Sequence, residues 1–389
     1  MNWQSKHRAS EEAAAAAHSA RLSGDSSGAR SFFESAASLE REALADLAAE
    51  DKPRTFGIIG VSAVALSYKA GELRAAEQLA HSLLSRPELP EFAAHQLREL
   101  LQTVWNEQTL KATGLVFASS QVTVSVDGGA VVRGGAPLDL IVERVQTVQA
   151  IFYRTTEFLK QIPLRRRGPA PKPIQEMCRP WLLQSVPGSY QFTVAIENPA
   201  QGVLFEDGSV EPSLVADTFM AILHSAALDP DSALPKVVPD AEYRSTFLKL
   251  ARNLAPTGDA FTQLEVRSSQ GAPPVLLTRE SRRALTSTIR ESTVNALDVV
   301  AAEQVELVGV LRAVHLDKDW LELSLDGQTM LRIDGVGDAV DDVIGPMVNH
   351  RVIVHASRSR STNKYIYQDI ELSEQPARGD VQQVGRTDA

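Results

Sequence analysis

Two glycine turns near the N-terminus constrain this chain more than any other feature. Gly24-Asp25 and Gly71-Glu72 are each followed by the same spacing of small or apolar residues. Ala29, Phe33, Ala36 and Ala37 follow the first turn; Ala76, Ala80, Leu83 and Leu84 follow the second at matching offsets. Glycine lets the backbone reverse, and small residues at helical spacing let two helices approach closely. The pattern predicts two antiparallel helical hairpins. Ala13, Ala16, Ala17, Ala20 and Leu22 give the first helix a small-residue face. The second, about Ser26 to Ala49, carries Phe32, Phe33, Ala36, Leu39, Ala43, Leu44 and Leu47, and Lys52-Pro53 ends it. A third runs from about Phe56 to Ala70 and a fourth from Leu73 to Ser85. Pro87 and Pro90 punctuate before a fifth, Glu91 to about Gln108.

Ala17, Ala20, Gly24, Asp25, Ala29, Phe33, Ala36 and Ala37 in the first hairpin, with Val64, Gly71, Ala76, Ala80 and Leu83 in the second, resemble the tetratricopeptide repeat family. The resemblance covers about a quarter of the chain. It departs from the family in turn spacing, since Gly24 and Gly71 lie further apart than the roughly 34-residue repeat. It departs also where the family places a bulky residue early in the first helix, which is Ala13 here and Gly60 in the second unit. The block reads equally as a degenerate repeat pair capped by the fifth helix or as a generic helical bundle. The resemblance implies protein or peptide recognition in a groove on the inner helices, with Ala13, Ala20, Val64 and Tyr68 as candidate partner-binding residues.

The 389 residues carry a net charge of −10, so the molecule as a whole is not built to attract nucleic acid. One cysteine, Cys178, excludes an intramolecular disulfide and any multi-cysteine metal site. There is no signal-peptide core, and no apolar run approaches the roughly 18–20 residues that span a bilayer. The expectation is a cytoplasmic protein without a membrane partner; heavy Ala, Arg and Asp usage suggests a bacterial one.

The chain changes character at Thr113. Gln121 to Val126 alternates, Asp127-Gly128-Gly129 signals a tight turn, and Ala130 to Arg133 returns, which predicts a β-hairpin. A long helix follows from about Leu138 to Gln161, then a Pro-rich loop from Pro163 to Pro173. Ser189 to Ile196 alternates as a strand; helices are expected at Ser213–Ala227, Ala241–Leu254 and Arg279–Glu291, with a strand pair at Phe261–Ser268 and Val275–Leu277. From Glu303 onward come about five short strands in a rhythm similar to an OB-type or SH3-like barrel. The predicted fold class is multidomain α+β: an all-α hairpin domain (11–110), a central α+β domain (113–300), a small β-barrel (303–373) and a disordered tail (374–389).

Two basic islands stand out. One is Arg165, Arg166 and Arg167 among prolines; the other is Arg351, Arg358, Arg360 and Lys364 beside Tyr365 and Tyr367. Arginine beside aromatics suits a phosphate backbone and stacked bases. A solvated loop that blunts a sheet edge with charge has the same composition. None of the eight histidines has metal-ligand spacing, no nucleophile elbow is present, and Gly335-Val336-Gly337 lacks a third glycine. Cys178 precedes Arg179 but sits on an apolar segment, which favours packing over catalysis. No catalytic residue, metal or cofactor is therefore expected. The leading expectation is a non-enzymatic adaptor that binds a protein partner through its N-terminal hairpins, by analogy an accessory factor of a defence or toxin–antitoxin system. The alternative is a nucleic-acid-associated protein that binds single strands through the barrel; a third reading is an enzyme whose site in the central domain no short motif betrays, and homo-oligomerisation is left open.

Overall fold

The structure is a computed structural model that describes residues 2–113, 117–132, 135–183, 190–197, 210–258, 260–269, 271–296, 302–325, 329–337, 340–359 and 364–373. The protein is mixed α+β, with helices first and two sheets after them. The chain forms two compact units: Met1–Val116 with Leu183–Gln191, and Phe117–Leu182 with Phe192–Ala389. The barrel strands thus share a compact unit with the central α+β elements.

In the first unit α1 (Trp3–Leu22), α2 (Ser26–Ala45), α3 (Pro53–Lys69), α4 (Leu73–Leu84) and α5 (Glu91–Thr113) pack in sequence, each against the next, and α5 also touches α3. Gly24 and Gly71 adopt φ values of +84° and +81°, the left-handed conformation that ends α1 and α3. Asp25 caps α2 by accepting from the Gly28 N–H at 2.9 Å. α2 stops at Ala45, earlier than its apolar spacing suggests. Pro53 does not terminate it; it opens α3, where its missing N–H costs nothing. The repeated small residues are core: Ala17, Phe33, Ala36 and Ala37 pack with Leu66 and Ala70, while Val64, Ala76, Ala80 and Leu83 join a second cluster. Gly60 has a steric reason, because a Cβ there would meet Leu83 Cδ1 at 3.1 Å.

In the second unit β1 (Phe117–Asp127), β2 (Pro180–Leu183), β3 (Tyr190–Glu197), β4 (Gln263–Ser268) and β5 (Val275–Thr278) form one sheet in the order β2-β3-β1-β4-β5. Helix α6 (Leu138–Leu159) and the short α7 (Lys172–Met177) precede β2; α8 (Pro212–Leu228), α9 (Leu234–Val237) and α10 (Ala241–Leu254) separate β3 from β4. α8 lies against β1, β4 and β5, with α6 and α10 packed on it; Phe152 stacks on Phe219 with ring centroids 4.3 Å apart. α11 (Arg279–Ala296) closes on α10 and β5.

The expected local hairpin does not form. Gly128 and Gly129 do take turn-type φ values of +79° and +64°. β1 nevertheless pairs antiparallel with the distant β4, Asp127 opposite Gln263 and Val122 opposite Ser268. β1 is an inner strand with β3 and β4 on its two sides, so the residues after the turn find no free edge. Val132 makes only an isolated bridge to Gly135.

The second sheet closes on itself. β6 (Ala302–His315) pairs with β7 (Trp320–Leu325) and β9 (Arg351–Ser359), β7 with β8 (Met330–Asp334), and β10 (Tyr365–Leu372) with β9 and, in parallel, with β8. Leu311, Leu321, Leu323, Ile333, Val352, Val354 and Ile370 are buried in this ring. A π-helical turn (Val340–Ile344) and a 3-10 turn (Gly345–Met347) connect β8 to β9. A bulge between Tyr367 and Asp369 leaves Gln368 as the extra residue of β10. The tail from 374 to 389 and the Asp326-Gly327 turn lie outside the described residues.

Candidate functional site

The first unit carries a groove of about 310 Å³ at the turn end of both hairpins. Phe33 from α2 and Tyr68 from α3 line it, with Arg21 from the end of α1, Arg30 from the first turns of α2, Lys69 from α3 and Glu107 from α5. The fold converges there because Gly24 and Gly71 reverse the chain at the same end of the bundle. Burial pushes the Tyr68 hydroxyl up to about 12, helped by its hydrogen bond to Glu107. Lys69 Nζ lies 5.7 Å from the Phe33 ring centre, and Arg30 pairs with Glu34 at 3.1 Å. Three cations thus surround an aromatic floor whose lining acid is Glu107. Of the residues assigned to partner binding from sequence, Tyr68 lines this groove. Ala13 packs against the core, and Ala20 is half-buried. Val64 is wholly buried in the core and is withdrawn as a surface contact.

The structure gives the arginine triplet acid partners. Arg165 pairs with Glu157 at 2.8 Å and Asp342 at 3.2 Å, Arg166 with Glu242 at 3.0 Å, and Arg167 with Asp319 at 3.2 Å. Arg165 is mostly buried and belongs to a network: fully buried Arg154 donates from Nε to Asp342 at 2.7 Å and from Nη1 to Glu157 at 3.2 Å. In the second island Arg358 lies over the Tyr365 ring at 5.7 Å, and Lys364 is exposed. Tyr367 is buried beside Lys249 at 6.0 Å, and Arg351 is half-buried; Arg360 lies outside the described residues.

A denser ionic cluster joins α10 and α11 to the ring. The bulge at Gln368 turns Asp369 inward, where Arg252 Nη2 meets its Oδ1 at 3.1 Å and Lys249 Nζ lies 3.7 Å away. Burial pushes the Asp369 carboxyl up, but the charges of Arg252 and Lys249 outweigh this and hold it below the ordinary range. Glu371 is likewise held low: burial opposes ionisation, while the His355 hydrogen bond and the charges of Arg252 and Arg282 favour it. His355 Nε2 sits 2.9 Å from Arg290 Nη2 and 3.4 Å from Glu371. Arg144 and Arg282 donate to the carbonyls of Asn253 and Arg252 at 2.5 and 2.6 Å, saturating the end of α10.

Sequence reasoning passed over these arginines. A signal was present: Arg144 occupies the stripe of Ile141, Val148 and Ile151, so a cation falls where helical spacing demands burial. Cys178 is buried, and burial pushes its thiol up to about 12, which suits packing and not a nucleophile. Among the described residues no group of three or more His, Cys, Asp or Glu side chains is arranged to hold a metal ion, and no helix is long and apolar enough to cross a membrane. Comparison with known proteins returned no match to a family model, a curated protein or a solved structure.

Proposed function

We propose that the chain is a non-enzymatic interaction protein whose N-terminal helical unit holds an acidic segment of a protein partner. The observation that carries this reading is the groove at the hairpin turns, where Arg21, Arg30 and Lys69 surround Phe33 and Tyr68. Half-buried Tyr68 offers a rigid contact area over buried Phe33, and exposed cations select carboxylates and steer their approach. The resemblance to tetratricopeptide repeats, which bind peptides in grooves, points the same way. The test uses the full chain as bait, with a photo-reactive residue in place of Arg30. A defined partner should crosslink, and Arg21→Glu with Lys69→Glu should abolish the crosslink while leaving helix content unchanged. Crosslinking that survives both reversals refutes the reading.

A second reading, single-strand binding by the barrel, draws support from the ring order β6-β7-β8-β10-β9, which is similar to an OB-type barrel, and from the Arg358–Tyr365 contact. The β7–β8 pair such barrels use for oligonucleotides carries Glu322 and Asp334 around Arg332, a charge balance that favours protein over phosphate. Arg358→Glu with Lys364→Glu is therefore expected to leave partner capture intact.

A further inference from the structure

The second unit holds a separate cavity of about 540 Å³, within the roughly 300–1,000 Å³ range of small-molecule sites. Gln146, Gln149 and Tyr153 recur on one face of α6 and line it; Gln175 comes from α7, and Asp341 and Asp342 from the π-helical turn. Pro169, Ala170 and Pro346 supply apolar wall.

These walls are tied together. Arg154 reaches from α6 to Asp342 at 2.7 Å and to the Arg165 carbonyl at 2.6 Å. Arg165 returns to Asp342 at 3.2 Å, and Asp341 accepts the Gly168 N–H at 2.6 Å. The Arg165–Ala170 segment and the π-helical turn are thereby held against α6 and against each other. Burying such charges carries a desolvation cost, and apolar packing would join the segments as well. What the network adds is fixed carboxylate and amide positions around a void, which is how a binding site is preorganised.

The charge pattern selects the ligand. Asp341 and Asp342 repel an anion, and Arg154 and Arg165 are already committed to Glu157 and Asp342. A cation would find Asp342 shared between two guanidiniums and would leave the Gln146 amide unused; Gln175 Nε2 already donates to the Ala170 carbonyl at 2.6 Å, and Gln149 is hydrogen-bonded to Tyr153. A neutral ring bearing adjacent hydroxyls fits what remains: hydroxyls donate to Oδ1 of Asp341 and of Asp342, whose Oδ2 atoms take the contacts above, and accept from the Gln146 amide, while the C–H face rests on Pro169 and Pro346. We propose that this cleft binds a neutral sugar.

The full chain is titrated calorimetrically with glucose, ribose and maltose, and with inorganic phosphate and spermidine as contrasts. At least one sugar should bind saturably. Gln146→Leu, at an exposed position, and Asp341→Asn, which keeps an acceptor for Gly168, should each weaken it tenfold or more without shifting thermal unfolding. The inference is overturned if no sugar saturates by about 50 mM, fifty times the concentration at which a millimolar site is half filled. It is overturned equally if phosphate or spermidine binds in place of sugar, or if both variants bind sugar as the parent does.

Discussion

Asp369→Ala should be among the most damaging single substitutions in the second unit. Arg252 is 0% exposed and Asp369 2%, with Lys249 at 4%, so removing the carboxylate leaves two buried cations facing each other. Breaking a buried pair from one side costs about 3–5 kcal/mol, because the surviving charge keeps its desolvation penalty and loses its partner. For a body of this size each kcal/mol lowers the midpoint by about 2–4 °C, so the transition of this unit should fall by about 6–20 °C. Scanning calorimetry on the full chain measures it, and the transition of the helical unit is the internal reference. The pH dependence follows from the depressed carboxyl. A group held below its unfolded pKa contributes stability above that unfolded value and loses it as pH falls through the folded one. Parent protein should therefore lose stability on acidification below about pH 4, and Asp369→Asn, already destabilised at neutral pH, should lose less. Adding Arg252→Met to Asp369→Leu should recover part of the loss, since it removes one of the two stranded charges and leaves Lys249. A midpoint shift under about 2 °C for Asp369→Ala would refute the argument, for it would mean that water reaches the cluster.

Cys178, the chain's one cysteine, should resist Ellman's reagent at pH 8 in the native protein and react with one equivalent in guanidinium; prompt native reaction would show that the thiol is not buried. Gly128→Ala should destabilise more than Gly24→Ala in chemical denaturation. Both positions have positive φ, a strain of about 1–2 kcal/mol for alanine, but the new Cβ at 128 would meet Thr262 Oγ1 whereas at 24 nothing lies within 4 Å. Equal losses would mean that the 127–130 turn relaxes freely.

The sequence was most legible where structure is decided locally. Helix periodicity placed α3 and α4 near their observed bounds, and glycine marked the stops of α1 and α3, because the left-handed turn acts within a few residues of its signal; α1 begins at Trp3, well before the expected Glu11, and α5 runs on past Gln108 to Thr113. The helix expected at Ala241–Leu254 was found at those bounds, where Asp240 caps it through the Tyr243 N–H. The failure at Gln121–Arg133 shows the limit. Its turn chemistry is real, with two glycines at positive φ, yet hydrogen-bonding demand is met by whichever strand reaches the edge. That strand, Gln263–Ser268, lies far along the chain, and nothing in its spacing names its partner.

The two cavities illustrate the same division at the level of function. Of the N-terminal groove only Tyr68 was assigned to partner binding from sequence; it lies near the end of a helix just before a glycine turn. The cleft of the second unit could not be foreseen. Its amides come from α6 and α7 and its carboxylates from a turn after β8, and each segment alone reads as ordinary polar surface. The one local signal is the arginine at 154, in a helix whose other inward residues include Ile151, Phe152 and Thr155. A cation on a buried face obliges the fold to bring carboxylates to it. Glu157 lies one turn away and supplies one; the rest had to come from another segment, and Asp342 is that segment's contribution. The arginine triplet then acquires a structural role, because Arg165 bridges both acids and so anchors the loop that walls the cleft. Charges that look like a nucleic-acid island in the linear sequence thereby each lie beside a carboxylate in the folded protein, Arg165 in a buried network and Arg166 and Arg167 in exposed pairs.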